Sequence, residues 1–235
     1  IASDTITNEN RTIIFNGLKY QYITATSNLT DDGFQAMAYG VLSEDSIHYD
    51  DIIIAFRGSM PPENFNLNEF VQDWLINDFG DIVGGNSPSQ LNSAIDFYNN
   101  VKENYLSTNG TITLTGHSLG GALVQLVAAK EGVEGYTFNA PGVKLQANQA
   151  GYTSSNVHNF IIMNDIIGNL RDSETNSSSS GHVGEEYYYF PTKTGSTVGM
   201  FNPHGAYTQI DDFSAYVTDI NWTFEKSLAL FWFDA

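Results

Sequence analysis

The sequence predicts an α/β fold, a mostly parallel sheet with helices on both faces. Three stretches carry that prediction. Residues 50–56 (DDIIIAF) form a continuous apolar run, as a strand buried on both faces requires. Residues 111–115 are a second β-branched and apolar run, with Ile112 and Leu114 pointing one way. They lead at once into Ala122, Leu123, Leu126, Val127, Ala128 and Ala129, which recur at helical spacing over strong helix formers. Residues 157–163 (VHNFIIM) are a third buried strand, ending at Asn164-Asp165.

The remaining elements follow in chain order. Residues 18–26 and 34–42 read as a hairpin joined through 28–33. Strand 50–56 runs straight into Arg57-Gly58-Ser59. Residues 60–68 (MPPENFNLN) mix Met60, Phe65 and Leu67 with two prolines and three asparagines. Two readings fit them: a short lid over an apolar cleft, or an ordinary surface loop. Helices are expected at 69–79, 90–105, 119–130 and near 222–231. In the first, Phe70, Val71, Trp74 and Leu75 share one face, which points to core packing. At 235 residues with 41% apolar content, and with no linker or internal repeat, the chain is expected to form a single domain spanning 1–235. It holds no apolar run near the length of a membrane span.

Chemistry enters at Gly116-His117-Ser118-Leu119-Gly120. A G-x-S-x-G string alone is weak, but here it sits between a strand and a helix. A serine on that turn takes a tight backbone conformation, and glycines two before and two after leave room for neighbouring segments. The turn lifts the Ser118 hydroxyl clear of the sheet. The first unpaired helix amides, led by that of Leu119, face the same space as an anion-binding corner. The competing reading is a glycine-rich turn that merely connects two elements.

A serine nucleophile needs a base and a group to orient it, which follow such a turn in the order acid, then histidine. Asp165 ends a strand at the sheet edge where catalytic groups collect; it also suits a cap for residues 166–170. His48 and His117 precede Ser118, and His158 precedes the acid, so each reads as a polar edge or strand residue. His182 falls in 173–184 (SETNSSSSGHVG), whose composition is flexible. His204 lies in the turn-forming Asn202-Pro203-His204-Gly205 and is the preferred base on chain order, although a solvent-facing turn histidine fits the same residues. After strand 50–56, a tight turn presents the Ser59 amide opposite that of Leu119, two donors for one developing oxyanion. Arg57 is expected to pair with an acid beneath the strand.

The run of IAFRGS, GHSLGG, TFNAPGV, NDIIGNL and PHGAY, in this order, resembles the class 3 lipases of fungal-lipase type, within the α/β-hydrolase fold. The likeness covers about residues 15–215. It implies an α/β-hydrolase domain with Ser118 as nucleophile, Asp165 as triad acid, His204 as base, and Ser59 and Leu119 as oxyanion donors. Trp74 and Asp78 fit the helix after that family's lid. Two departures loosen any inference about substrate: residues 87–94 (SPSQLNSA) replace a histidine-glycine-phenylalanine run, and Ile166 stands where many members carry proline.

Nine Lys and Arg against 27 Asp and Glu give a net charge of −18, which argues against nucleic acid as a partner. The same field repels anionic membranes at low salt, so transient contact with neutral or zwitterionic lipid is favoured. The acids are not at calcium-loop spacing, so no metal and no cofactor are expected. The chain has no cysteine, which excludes a thiol mechanism. A chain this long needs no disulfide staples, so an extracellular, secreted location is compatible with that lack and is the expectation. The opening at Ile1, without a methionine or a signal-like apolar segment, is what a processed chain or an excised domain has. The expected activity is a serine carboxylic ester hydrolase, a lipase acting on acylglycerol esters. The alternatives are a phospholipase A1, including a membrane-damaging toxin domain, and a hydrolase-like module that binds without catalysis.

Overall fold

A computed structural model of the chain describes residues 12–15, 18–26, 32–58, 86–153, 156–163, 165, 167–169 and 181–189. Among these, eight strands form one sheet in sequence order: β1 (Thr12–Phe15), β2 (Leu18–Ala25), β3 (Ala36–Leu42), β4 (Tyr49–Phe56), β5 (Leu106–His117), β6 (Glu134–Phe138), β7 (Val157–Ile162) and β8 (Glu185–Tyr189). Strands β1 to β4 pair antiparallel, and β4 to β8 pair parallel. The parallel half needs crossovers. These include α1 (Leu91–Tyr105) between β4 and β5, α2 (Ser118–Glu131) between β5 and β6, and α3 (Lys144–Gln149) between β6 and β7.

The α/β class is therefore as expected, and the hairpin, the strands at 50–56 and 157–163, and the helices at 90–105 and 119–130 all form within one or two residues of their expected limits. Strand β5 is longer than the 111–115 core, because its first residues continue directly from α1. Four short elements, β1, β6, α3 and β8, have no counterpart among the elements expected from the sequence. The lid segment 60–68 and the helices expected at 69–79 (with Trp74 and Asp78) and near 222–231 lie outside the described residues.

All three described helices share one core with one face of the sheet. Ile52, Ile54 and Phe56 of β4 and Ile112 and Leu114 of β5 meet Ala94, Tyr98 and Val101 of α1, Leu123, Leu126 and Val127 of α2, and Ala147 of α3. The alternate residues point to the opposite face. There Tyr136, Phe138, Phe160 and Ile162 form one buried cluster, and Tyr20, Tyr39 and Ile53 another. Period-two alternation thus assigns these strand residues to their two sides.

Helix α2 occupies the centre of this arrangement. Every residue from Ser118 to Ala129 is buried, and the only long polar side chain among them is Gln125. A helix apolar on all sides has to be enclosed. Each of its fully buried leucines contributes about 2 kcal/mol relative to exposure. It stops at Gly132, which takes the left-handed conformation at φ +71° and returns its amide to the Ala128 carbonyl.

Candidate active site

The sheet delivers three loops to one edge. Phe56 pairs with Gly116 and His117 with Phe138, so the carboxyl ends of β4, β5 and β6 lie side by side, with β7 next in line. Ligands of open α/β sheets bind outside this edge.

Ser118 stands where β5 turns into α2. Its φ is +56°, in the left-handed region that costs a residue with a side chain about 1–3 kcal/mol. The neighbours show how that conformation is held. A Cβ on Gly116 would lie 2.6 Å from both the carbonyl carbon and oxygen of Gly120, and one on Gly120 would lie 2.2 Å from the Phe56 carbonyl oxygen. A Cβ on Gly58 would meet the His117 oxygen at 2.9 Å and Ser118 Cβ at 3.3 Å. The chain leaving β4 therefore crosses directly over the serine, and the expected elbow has the geometry its glycines require. Ser118 and Leu119 are buried, at 2% and 4% exposure, and the Leu119 amide belongs to the first turn of α2, which has no intrahelical acceptor for it.

Asp165 follows β7 and is 1% exposed. Its Oδ2 accepts from the Gly168 amide at 2.7 Å, its Oδ1 from the Ile167 amide at 3.3 Å, and its own amide donates to the Ile162 carbonyl at 2.9 Å. The carboxylate caps its own turn, one of the two readings its sequence allows. A carboxylate oxygen accepts more than one bond, so the cap does not preclude a second duty. Ser59 and His204, the other two residues of the expected constellation, lie outside the described residues.

The other histidines have structural partners. His48 Nδ1 is 2.6 Å from Asp45 Oδ2 on the surface, and hydrogen bonds led by that from the His48 amide hold the Asp45 carboxyl down at about 2. His158 stacks on Tyr136, with ring centres 5.0 Å apart. His182 departs from the flexible setting that its serine-rich flank implied. It is 1% exposed, with Nε2 2.7 Å from the Ala140 oxygen and Nδ1 3.1 Å from Glu186 Oε1. Both nitrogens face partners inside the fold, an arrangement that does not suit a proton shuttle. Arg57 Nη1 donates to the Gln35 side-chain oxygen, and its amide to the Gln35 carbonyl.

Two residues near the edge carry roles not assigned from sequence. Asn139, at φ +44°, accepts the Ile162 amide through Oδ1 at 3.0 Å and so ties the end of β6 to the end of β7. Gln125 donates to the Pro141 carbonyl at 2.9 Å and accepts from the Val183 amide at 3.0 Å. The asparagine was findable, since asparagine is one of the few residues that visit the left-handed region routinely. A glutamine in an apolar helix was the signal for the second. Among the described residues no group of three or more His, Cys, Asp or Glu could hold a metal ion.

Comparison with known proteins then gives three results. Residues 13–213 match the family model of the Tle-like phospholipase domain. A stretch of 54 residues is 43% identical to the putative lipase ATG15 of Cryptococcus neoformans, covering 23% of this chain and 10% of that protein. The same protein of Debaryomyces hansenii is 43% identical over 53 residues, 23% of this chain and 9% of its own. The matched stretch thus spans about a tenth of the length of these curated relatives. Among solved structures, the Lip2 lipase from Yarrowia lipolytica aligns with a TM-score of 0.37 at 15% identity, over 87% of this chain and 80% of that one.

Proposed function

Because this chain belongs to the Tle-like phospholipase domain family, and so is a lipase-like hydrolase, we propose that it cleaves carboxylic esters of lipids through a Ser118, His204 and Asp165 triad, without a cofactor. The observation that carries the reading is the strained Ser118 backbone at φ +56°, clamped by glycines that have no room for a side chain. Strain of this kind persists only where surrounding packing imposes it, and it gathers at sites of chemistry.

In this reading His204 takes the Ser118 proton as the oxygen attacks the ester carbonyl, and Asp165 orients the imidazole and stabilises its cation. The amides of Ser59 and Leu119 stabilise the oxyanion. Collapse of the tetrahedral intermediate breaks the acyl–oxygen bond, and His204 returns the proton to the departing alcohol. Water then attacks the acyl-enzyme, again giving its proton to His204, and the carboxylic acid and free serine are released.

The substrate of the leading reading is an acylglycerol ester. The match to a phospholipase domain favours a phospholipid substrate, and the second reading is a phospholipase A1 acting on membrane lipid, including a membrane-damaging toxin domain. The location would be extracellular. Turnover of a p-nitrophenyl ester and labelling by a fluorophosphonate test the chemistry. Ser118→Ala and His204→Ala should each lower turnover by about ten-thousand-fold, and only the serine variant should lose the phosphonate attachment point. An active Ser118→Ala protein, or a wild type inert to the phosphonate, overturns the assignment; the second outcome would revive a non-catalytic binding module. Hydrolysis of triacylglycerol and phosphatidylcholine measured side by side separates the two substrates.

A further inference from the structure

The enclosed His182 takes no part in the proposed chemistry, and its surroundings give it another task. A carbonyl only accepts hydrogen bonds, so the ring nitrogen facing the Ala140 oxygen is the donor there. On the other side of the ring, Glu186 Oε1 also receives the His182 backbone amide at 3.1 Å, and the carboxyl is held down at about 2, first by its bond from the His182 ring.

What the ring grips is the loop between the two halves of the site. Ala140 packs so closely under the elbow that a Cβ on Gly121, in the first turn of α2, would lie 2.5 Å from the alanine Cβ. The residue before it, Asn139, holds the Ile162 amide, and a Cβ on Gly168 would lie 3.2 Å from the Asn139 Cα. Gly168 is the residue whose amide binds the Asp165 carboxylate. Residues 139–141 thus touch the serine's helix on one side and the acid's turn on the other. The 181–183 segment closes on them from behind, through His182, through Val183 to Gln125, and through the Lys144 amide on the Gly181 carbonyl at 2.9 Å.

We propose that His182, paired with Glu186, is a positioning residue for ester hydrolysis: by anchoring the Ala140 carbonyl it holds the 139–141 loop that sets Ser118 against Asp165. It contacts no substrate. The inference rests on the serine-hydrolase reading above.

Two amide replacements separate its contacts. Glutamine places an N–H near the position of Nε2 and keeps a donor for Ala140, whereas asparagine places one near Nδ1 and keeps only the Glu186 side. Each removes one of the ring's two contacts, so both should lower the melting temperature. His182→Asn should lose about ten- to hundredfold in kcat on a p-nitrophenyl ester with KM unchanged, as sub-ångström displacement of reacting groups does. Its fluorophosphonate labelling rate should fall in parallel, and His182→Gln should recover most of both losses. Wild-type kcat in a folded His182→Asn protein, or equal kcat loss in the two variants, overturns the proposal. Should His182→Asn fail to fold, Glu186→Ala, at a partly exposed position, takes its place: kcat should fall about three- to tenfold at constant KM, and an unchanged kcat overturns the proposal. A wild type that does not label, by contrast, removes the hydrolase reading itself.

Discussion

Gly120 lies so close to Phe56 that a Cβ on the glycine would sit 2.2 Å from the phenylalanine carbonyl oxygen, with the Arg57 carbonyl carbon and oxygen at 2.8 Å. All of these are backbone atoms, which cannot rotate away. Gly120→Ala therefore forces α2 away from the end of β4, and with it the Ser118 hydroxyl from the Arg57-Gly58 crossing. We expect a stability loss of about 1–3 kcal/mol by denaturant titration and a fall in phosphonate labelling of about hundredfold or more. Wild-type labelling in this variant would mean that the crossing does not fix the serine.

A second prediction concerns the sheet interior at Asn159, which is fully buried. Its Oδ1 accepts from the Thr137 hydroxyl at 2.7 Å, and its Nδ2 donates to the carbonyls of Val183 at 2.7 Å and Glu185 at 3.0 Å. Asn159→Ala strands a hydroxyl and a buried carbonyl, at a cost of about 3 kcal/mol in urea unfolding. The asparagine joins β6, β7 and the start of β8, so a loss under about 0.5 kcal/mol would show that water takes over its bonds.

Acid should weaken the fold through Glu186. Its carboxyl lies at about 2 against the ordinary 4.5, and the first cause is the His182 bond. A depressed value means that the folded state binds its proton more weakly than the unfolded chain. The stabilisation is therefore complete above about pH 4.5 and is lost as pH falls toward 2. Melting temperature should drop through that window, and the slope should be shallower in Glu186→Gln. Asp45, also at about 2, shares the window but is fully exposed and is expected to contribute little. Identical slopes in wild type and Glu186→Gln would remove the pair from the account.

The net charge of −18 gives a prediction about the interface. On vesicles matched in size, hydrolysis at low salt should be several-fold faster with a zwitterionic surface than with one containing phosphatidylglycerol, and salt near 0.5 M should narrow the gap by screening. A gap that widens with salt would point to headgroup recognition instead.

The elements visible in the sequence are those that explain themselves locally. DDIIIAF can hardly be anything but a buried strand, and the apolar residues after Ser118 fix α2 almost to the residue. Strand β6 (EGYTF) is five residues long and carries a glycine, because a side chain at 135 would press to 2.9 Å from Val124. A requirement set by a helix residue eleven positions earlier leaves no local pattern to read. The same holds for His182, whose serine-rich flank describes a loose loop while its order comes from Ala140, 42 residues away. The positions of Ser118 and Leu119 at a strand-to-helix turn and of Asp165 after a strand end were legible because the flanking runs announce them. The support beneath them, Asn139, Gln125 and His182, was not, because those roles exist only once the chain is folded.

Since α2 presents no wet side, its inner backbone amides have no shallow route to deuterium. They can exchange only when the whole structure opens, and the serine at the head of that helix shares their fate. Warming should extinguish the enzyme and melt its centre at one and the same temperature.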